Sequence, residues 1–186
     1  MTEQTSLATS ELVAGRDCGG CTMCCKLLSI AELDKPRAVW CPHCDKKRGC
    51  KIYDSRPAPC REFYCGWRRI AHLDERWKPS HSKILINYES HNSRVAIHVD
   101  PDRPDAWRVE PYYSAIKRWS AEAEAGGGSL VIWAGHHVTV VTPVLERDLG
   151  SPRDDQYILP VIRQTPRGPV RDFILVEADD PRLQDP

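Results

Sequence analysis

Cys18-Gly-Gly-Cys21-Thr-Met-Cys24-Cys25 opens the cysteine-rich part of the chain and decides how the rest of the sequence is interpreted. Two residues separate each of its first three cysteines. This spacing lets three thiolates surround one [4Fe–4S] cluster when a fourth thiolate comes from a distant part of the chain. It also suits tetrahedral zinc, where such a pair joins a second pair. The stretch therefore predicts a thiolate metal centre, either iron–sulfur or zinc.

The neighbours Cys24 and Cys25 raise a separate question. In an extended backbone, adjacent side chains point to opposite sides. We therefore expect that these two residues do not bind the same ion in the same way. Either they serve two centres, or one is a ligand and the other a buried thiol. The chain has enough cysteines for two four-ligand sites with one left over.

All cysteines of the chain lie within residues 18–65, a density far above that of globular proteins. Cys41-Pro-His-Cys44 forms a second pair at metal-ligand spacing, and no βαβ pattern surrounds it to favour a redox dithiol. His43, inside this pair, is interpreted as a turn residue rather than as a ligand. The candidate metal ligands are Cys18, Cys21, Cys24, Cys25, Cys41, Cys44, Cys50, Cys60 and Cys65.

Aromatic and basic residues accompany these cysteines. The aromatic ones are expected to shield the centre from water, or to form the small core of this segment. The arginines are expected to offset thiolate charge, or to be solvated. These residues are Tyr53, Phe63, Tyr64 and Trp67, with Arg56 and Arg61.

The motif CxxCxxCC followed by C-x-I-Y-x-x-R-P-x-x-C resembles the YkgJ-type cysteine-cluster family, which is described as a zinc- or iron-chelating domain. Cys41 or Cys44 resembles the intermediate cysteine of the family, and Cys65 the cysteine that follows the Arg-Pro segment. The resemblance implies metal binding. It implies no particular reaction, although some members are labelled iron–sulfur oxidoreductases or flagellin lysine methylases. The matching residues are Cys18, Cys21, Cys24, Cys25, Cys50, Ile52, Tyr53, Arg56, Pro57 and Cys60.

Composition excludes several other classes. The 186 residues suit one domain, or one domain with a small cysteine lobe. Lys plus Arg equals Asp plus Glu at 26 each, so no net charge favours nucleic acid or an anionic membrane. Basic and aromatic residues alternate within 61–78, but acidic residues dilute them, which disfavours a nucleic-acid face.

The chain is predicted to be cytoplasmic. Met1 to Gly15 lacks the pattern of a signal peptide, and no apolar stretch is long enough to span a membrane. Cytoplasmic disulfides are kept reduced, and the number of cysteines is odd. Metal binding is therefore favoured over a disulfide framework.

The sequence predicts a lead-in without order over residues 1–15, a metal-binding cysteine lobe over 16–78, an α+β lobe over 79–178 and a disordered tail over 179–186. The cysteine lobe has little apolar periodicity, so we expect metal ligation to stabilise it. Within it, Ser29 and Glu32 form a capping-box pattern that predicts a short helix ending before Pro36. A second helix is predicted from Tyr64 to Glu75.

After Ser82 the apolar pattern predicts regular elements. Alternation predicts strands at 84–88 and 95–99, a hairpin of 130–134 with 138–142, and strands at 157–162 and 170–176. An apolar stripe of Tyr112, Ile116, Trp119 and Ala123 predicts a helix between Pro111 and Gly126. The order of these elements predicts an α+β fold, in which the cysteine lobe packs on a mainly antiparallel β lobe with one principal helix.

Other candidate sites are weaker. His136 and His137 lie at a predicted hairpin tip and are interpreted as exposed turn residues. The pairs Asp154-Asp155 and Asp179-Asp180 lie in polar segments and are interpreted as solvated charge. No nucleophile elbow, Walker loop or Rossmann fingerprint is present in the sequence.

These patterns predict a cytoplasmic metal-binding protein in electron transfer, metal handling or sensing. Cys18, Cys21 and Cys24 would bind one centre with Cys60 or Cys50 as the distant ligand. The others would complete it or build a second. The three-thiolate arc favours [4Fe–4S] over Zn²⁺. The alternatives are a structural zinc module that binds a protein partner, and a cluster-dependent oxidoreductase or modifying enzyme. The sequence predicts neither a reaction nor an oligomeric state.

Overall fold

The computed structural model describes residues 11–183, and their fold is α+β, as predicted. The α-helices are α1 (Met23–Leu27), α2 (Ala58–Glu62), α3 (Gly66–Arg69), α4 (Pro79–Ser82) and α5 (Tyr112–Ala125). The strands are β1 (Cys44–Asp45), β2 (Gly49–Cys50), β3 (Ile84–Glu89), β4 (Arg94–Val99), β5 (Ser129–Ala134), β6 (His137–Val141), β7 (Glu146–Gly150), β8 (Gln156–Thr165) and β9 (Gly168–Glu177).

A five-stranded sheet in the order β3-β4-β5-β6-β7 forms the centre of the fold. All neighbouring strands are antiparallel except β4 and β5, which are parallel. A parallel pair needs a crossover connection, and α5 lies between β4 and β5 in the chain. The alternation of apolar residues that predicted β3 to β6 gives this sheet two buried faces.

The first face carries the largest core. Ile86, Ile97 and Ile132 occupy one row across β3, β4 and β5. Helix α5 covers them with Ile116 and Trp119, both fully buried. The same core includes Trp67, Ile70, Leu73 and Trp77, which come from the predicted cysteine lobe.

The second face is covered by two different parts of the chain. The β8–β9 hairpin packs Phe173 against Ala96, Val131 and Val138. Beside it, α1 packs Met23 and Leu27 against Leu85 of β3. The stretch that holds all the cysteines, residues 18–65, is called the cysteine-rich segment. Its helix α1 therefore lies on the face opposite α5.

The chain passes from the second face to the first around the edge of β3. Cys65 contacts both core clusters, and Gly66 lies against Ile86. A Cβ at Gly66 would lie 2.8 Å from the Cβ of Ile86, so only glycine fits this crossing. This close approach fixes Cys65 at the boundary between the sheet and the cysteine-rich segment.

Ion pairs and stacking attach the cysteine-rich segment to the sheet. Lys26 Nζ donates to Asp100 Oδ1 at 2.5 Å and to Asp102 Oδ2 at 2.6 Å. Lys26 and Asp100 are both buried. The Arg37 guanidinium lies 3.9 Å from the ring centroid of Trp133 on β5. The helix that carries Cys24 and Cys25 is therefore anchored by charge as well as by Met23 and Leu27.

Some local predictions differ from the structure. The helix predicted after Ser29 is a single 3₁₀ turn, Ala31–Leu33, without a side-chain cap. The helix predicted over 64–75 is broken into α3 and a 3₁₀ turn, Glu75–Trp77, because Ile70 adopts extended backbone. The strand β7 was not predicted, since its sequence Glu-Arg-Asp-Leu-Gly has no apolar alternation.

The predicted lead-in and tail lie partly outside the described residues, which exclude 1–10 and 184–186. Of the described parts, the Val13 N–H donates to the Arg68 carbonyl at 2.8 Å, and Pro181–Leu183 forms a 3₁₀ turn. Among residues 11–183, the structure has no helix with the length and apolar character needed to cross a bilayer.

Candidate metal centre

The short helix α1 carries the adjacent cysteines Cys24 and Cys25, whose Cα–Cβ bonds leave the helix about 100° apart around its axis. Cys24 packs on the Met23–Leu27–Leu85 cluster. The Cys25 thiol lies close to the thiols of both Cys24 and Cys44. The helix thus places Cys24 on the apolar cluster and Cys25 between the thiols of Cys24 and Cys44.

The cysteines around Cys24 form what we call the first thiol group: Cys18, Cys21, Cys24 and Cys65. The Cys21 N–H donates to the Cys18 carbonyl at 2.8 Å, which closes a turn. In this turn Gly19 has a φ of +48°, a conformation that favours glycine. Cys21 and Cys65 pack on the same apolar cluster as Cys24. Burial raises the pKa of the Cys65 thiol, and the neighbouring Cys21 and Cys18 raise it further.

Two arginines hold the first thiol group in place. Arg68 Nη1 lies 3.6 Å from Cys18 Sγ and donates to it. The Arg16 guanidinium donates to the Ile70 carbonyl at 2.9 Å and the Ala71 carbonyl at 2.8 Å, and also to the carbonyls of Trp67 and Leu73. Arg16 therefore ties the start of the cysteine motif to the chain just after Cys65.

The remaining cysteines form the second thiol group: Cys25, Cys41, Cys44, Cys50 and Cys60. The Cys41 N–H donates to the Cys25 carbonyl at 2.9 Å, and the Cys44 N–H donates to the Cys41 carbonyl at 3.0 Å. Strands β1 and β2 place Cys44 directly opposite Cys50. The group is thus assembled mainly by backbone hydrogen bonds.

The register of β1 and β2 fixes how close Cys44 and Cys50 are. The Lys51 N–H donates to the His43 carbonyl at 2.8 Å, one residue outside the pair on each strand. Cys44 and Cys50 therefore occupy a non-hydrogen-bonded position, where opposite Cα atoms lie about 4.5 Å apart and the side chains share a face.

Burial and mutual proximity disfavour ionisation in the second thiol group. Burial and the nearby Cys25 raise the pKa of Cys44 to about 11. A hydrogen bond with Cys24, together with burial, raises the pKa of Cys25. Burial, followed by the proximity of Cys25, raises the pKa of Cys60. Thiolates here would need a nearby positive charge, which a bound cation supplies.

One buried cation already lies beside this group. Lys35 is 3% exposed, and its Nζ donates to the carbonyls of Lys26 at 3.2 Å, Pro36 at 3.1 Å and Leu28. Burial lowers the pKa of Lys35, and the nearby cysteines, Cys41 first, oppose that change. The three carbonyls hold the ammonium where it offsets negative charge on sulfur.

All nine thiols are free, so the structure contains no cystine among them. Nevertheless, no three His, Cys, Asp or Glu side chains in residues 11–183 are arranged to hold a metal ion. The donor chemistry fits thiolate-binding metals, but the sulfur atoms do not converge on one point. Binding at Zn–S distances of about 2.3 Å would require these side chains to move together.

The distant ligand expected for the Cys18-x2-Cys21-x2-Cys24 arc was Cys50 or Cys60. The structure places Cys65 next to Cys18 and Cys21, whereas Cys50 and Cys60 lie with Cys25 and Cys41. The His43 side chain is half-buried, and its carbonyl takes part in the β1–β2 pairing.

Only some of the aromatic and basic residues that were expected around the thiols lie there. Phe63 packs with Cys21 and Cys65. Trp67 belongs to the sheet core instead, and Tyr53 is 59% exposed beneath the Arg56 guanidinium. Arg61 is exposed.

The basic residues beside sulfur, Arg68 and Lys35, were not anticipated. Arg68 follows Cys65 by three residues, a spacing that signals proximity on one helix face. Lys35 offers no comparable sequence signal, because hydrogen bonds to three separate carbonyls bring it to the thiols.

The weaker candidates lie apart from the thiols. His137 Nε2 lies 2.7 Å from Asp148 Oδ1 on the neighbouring strand, a pair that the sequence did not reveal. Asp155 pairs with Arg153 at an exposed site, whereas Asp180, which pairs with Arg182, has a side chain that is only 16% exposed. In the basic stretch, Arg76 and Lys78 pair with Asp74 and Glu75.

The sequence did not predict that His98 is buried near Arg37. His98 on β4 is 5% exposed, and neither of its ring nitrogens has a hydrogen-bond partner. Burial, followed by the nearby Arg37, lowers its pKa to about 3. His98 is therefore neutral in the folded protein at physiological pH.

Comparison of the chain with family models, curated proteins and solved structures finds no match. The resemblance to the YkgJ-type family therefore stays a prediction from the cysteine spacing.

Proposed function

We propose that this chain is a metal-binding protein that holds an iron–sulfur cluster or zinc through cysteine thiolates. Its role would be electron transfer, metal handling or sensing in the cytoplasm. The observation that carries the proposal is the gathering of all nine free thiols into two groups around α1. Unrelated structural cysteines have no reason to gather in this way.

The electrostatics of the groups support a cation. Several thiolates bound to one divalent ion or cluster leave net negative charge, which neighbouring cations would offset. Lys35 lies beside the second thiol group and Arg68 beside the first. The N–H donation from Arg68 to Cys18 Sγ is the kind of contact that orients and stabilises a metal-bound thiolate.

The cysteine-rich segment makes few apolar contacts of its own, which also supports the proposal. Its own fully buried apolar side chains are few, and α1 depends on Leu85 of the sheet for its packing. Segments of this kind gain their folding free energy from metal ligation. A cluster bound here would supply one-electron transfer, and zinc would supply a cross-link without redox chemistry.

Anaerobic purification with metal and sulfide analysis tests the proposal. Iron with acid-labile sulfide and visible absorbance would identify a cluster, whereas colourless protein with stoichiometric zinc would identify a zinc protein. Protein that is purified without either metal, and that binds neither after reduction, would refute the proposal.

The substitution Cys21→Ala tests the ligand assignment. We expect it to lower bound metal, because Cys21 lies between Cys18 and Cys24 in the motif and packs beside Cys65. Ser29→Ala, at an exposed position two residues after the end of α1 at Leu27, is the matched control and should keep the wild-type content. Equal metal content in both variants would remove Cys21 from the ligand set.

A further inference from the structure

We propose that the tip of the β1–β2 hairpin is a docking surface for an acidic protein, which it holds beside the thiols. The surface consists of four exposed cations that we call the basic tip: Lys46, Lys47, Arg48 and Lys51. This surface presupposes the metal-binding function proposed above, and it adds to that function the place and the chemistry of a protein partner.

The hairpin holds the basic tip next to two cysteines. Strands β1 and β2 pair Cys44 with Cys50 at the base of the loop. Within the loop, Asp45 Oδ1 accepts from the Lys47 N–H at 2.8 Å and from the Arg48 N–H at 2.9 Å. These two hydrogen bonds fix the loop that carries the cations. A protein bound there lies within the length of one short hairpin from the thiols.

The cations of the basic tip have no ion-pair partner among residues 11–183. Exposed arginines elsewhere do have one. Arg108 lies 2.6 Å from Glu146, and Arg153 lies 2.5 Å from Glu177. The hairpin therefore keeps a positive surface, although the whole chain carries no net charge.

Two carboxylates near the basic tip are engaged by other groups. Asp45 accepts the N–H groups of its own loop, which hold its pKa below the usual range and keep it ionised. Asp102 lies near Lys46, but it pairs with Lys26 at 2.6 Å. The basic tip therefore retains an excess of positive charge, which attracts an acidic surface at short range.

The surroundings of the basic tip favour an acidic protein over nucleic acid or a membrane. Single-stranded nucleic acid binds by stacking its bases on free aromatic faces. Here the Trp40 ring centroid lies 4.8 Å from Lys46 Nζ and 5.7 Å from Lys26 Nζ. The Tyr53 ring is covered by the Arg56 guanidinium at 3.6 Å. The loop sequence Lys-Lys-Arg offers no apolar side chain for insertion into a bilayer. Complementary charge on a small patch is typical of transient protein encounters, such as those of electron transfer.

Calorimetric titration of the full-length protein, as purified, with poly-L-glutamate tests the proposal. We expect binding that weakens as salt is added. A single-stranded oligothymidylate of equal charge and phosphatidylserine vesicles are the competing probes. If either binds more tightly than polyglutamate, the choice of an acidic protein is overturned. If polyglutamate does not bind at low salt, the docking surface itself is overturned.

Charge reversal locates the binding. Lys47→Glu/Arg48→Glu should raise the Kd for polyglutamate at least about tenfold, because it replaces two unpaired cations and keeps the N–H donors of the loop. Arg118→Glu/Arg167→Glu, at exposed positions outside the cysteine-rich segment, makes the same change in net charge. This control should leave the Kd within about twofold of the wild type. Equal losses in the two variants would contradict a local docking surface.

Metal analysis of the same samples distinguishes the docking surface from the metal-binding function. Weakened polyglutamate binding by the Lys47→Glu/Arg48→Glu variant at wild-type metal content supports both. Wild-type protein that binds polyglutamate through the basic tip but takes up no metal would refute the metal-binding function and leave the docking surface standing.

Discussion

The cysteine-rich segment and the central sheet are stabilised in different ways. The sheet and α5 share one continuous apolar core, in which Ile97, Ile116 and Trp119 are fully buried. The cysteine-rich segment buries Met23 and Leu27 in a small cluster with Leu85 of the sheet, and its other members there, such as Leu28 and Phe63, are only partly buried. Burial of apolar area therefore accounts for the sheet and leaves most of the cysteine-rich segment unexplained.

Charged side chains replace apolar packing in the cysteine-rich segment. Lys26 pairs with Asp100, while Arg16 and Lys35 donate to backbone carbonyls. Such contacts fix positions, but their net contribution to stability is modest because water competes for the same groups. If the proposed function holds, metal ligation by the thiols would add stability that these contacts and the small apolar cluster do not supply.

The largest effect of a single substitution is expected in the core between the sheet and α5. Trp119→Ala should lower the free energy of unfolding by about 4 kcal/mol, since it empties a fully buried site. Denaturant unfolding measures this loss. Val144→Ala, at a side chain that is 73% exposed, should change stability by less than about 0.5 kcal/mol. Similar losses in the two variants would contradict the assigned core.

The second-largest loss of stability is expected at the contact between the cysteine-rich segment and the sheet. Lys26→Met should cost about 3 kcal/mol, because it leaves the buried Asp100 carboxylate without its partner. The double variant Lys26→Met/Asp100→Asn should recover part of that loss in the same unfolding measurement. If the double variant is no more stable than the single one, the ion pair does not join the regions as described.

The difference between the sheet and the cysteine-rich segment also determines how much of each could be predicted from the sequence. Alternating Ile84 and Ile86, and the stripe of Ile116 and Trp119, follow the periods of strand and helix, so the main elements of the sheet region were predicted. The polar strand β7 lacks that signal and was not. Burial on both faces also leaves no trace of which strands pair in parallel.

The candidate site was predicted only as a set of residues. The spacing of the cysteines identified the thiols, but not their division into two groups. That division depends on Arg16 bringing Cys18 near the chain after Cys65, and on the short hairpin that pairs Cys44 with Cys50. Single long-range polar contacts and two-residue strands have no periodic pattern in the sequence.

Acid should weaken the sheet through His98. Its pKa in the folded protein is lowered to about 3, while the unfolded chain takes up a proton below about pH 6.5. The unfolded state therefore binds more protons as pH falls, and stability is lost from about pH 6.5 downward. Between pH 6.5 and 5 the loss should be about 2 kcal/mol relative to His98→Leu. Parallel pH profiles of the two proteins would contradict the buried neutral state.

A smaller effect is expected from Arg16. Arg16→Lys keeps the charge but loses the planar fork that reaches several carbonyls, and should cost about 1.5 kcal/mol. Amide exchange should rise near Cys18 and Cys65 while β5 is unchanged. Arg182→Lys, at a surface pair with Asp180, is the control and should match the wild type. Unchanged exchange near Cys18 would show that Arg16 does not position the first thiol group.

Amide hydrogen exchange of the metal-loaded protein, before and after chelation under reducing conditions, tests the central claim most directly. We expect residues 21–65 to lose protection on chelation, while β4 and β5 keep theirs because their core is built from apolar side chains and has only Cys65 at its edge. Full protection of residues 21–65 in chelated protein would contradict the claim that metal ligation organises the cysteine-rich segment.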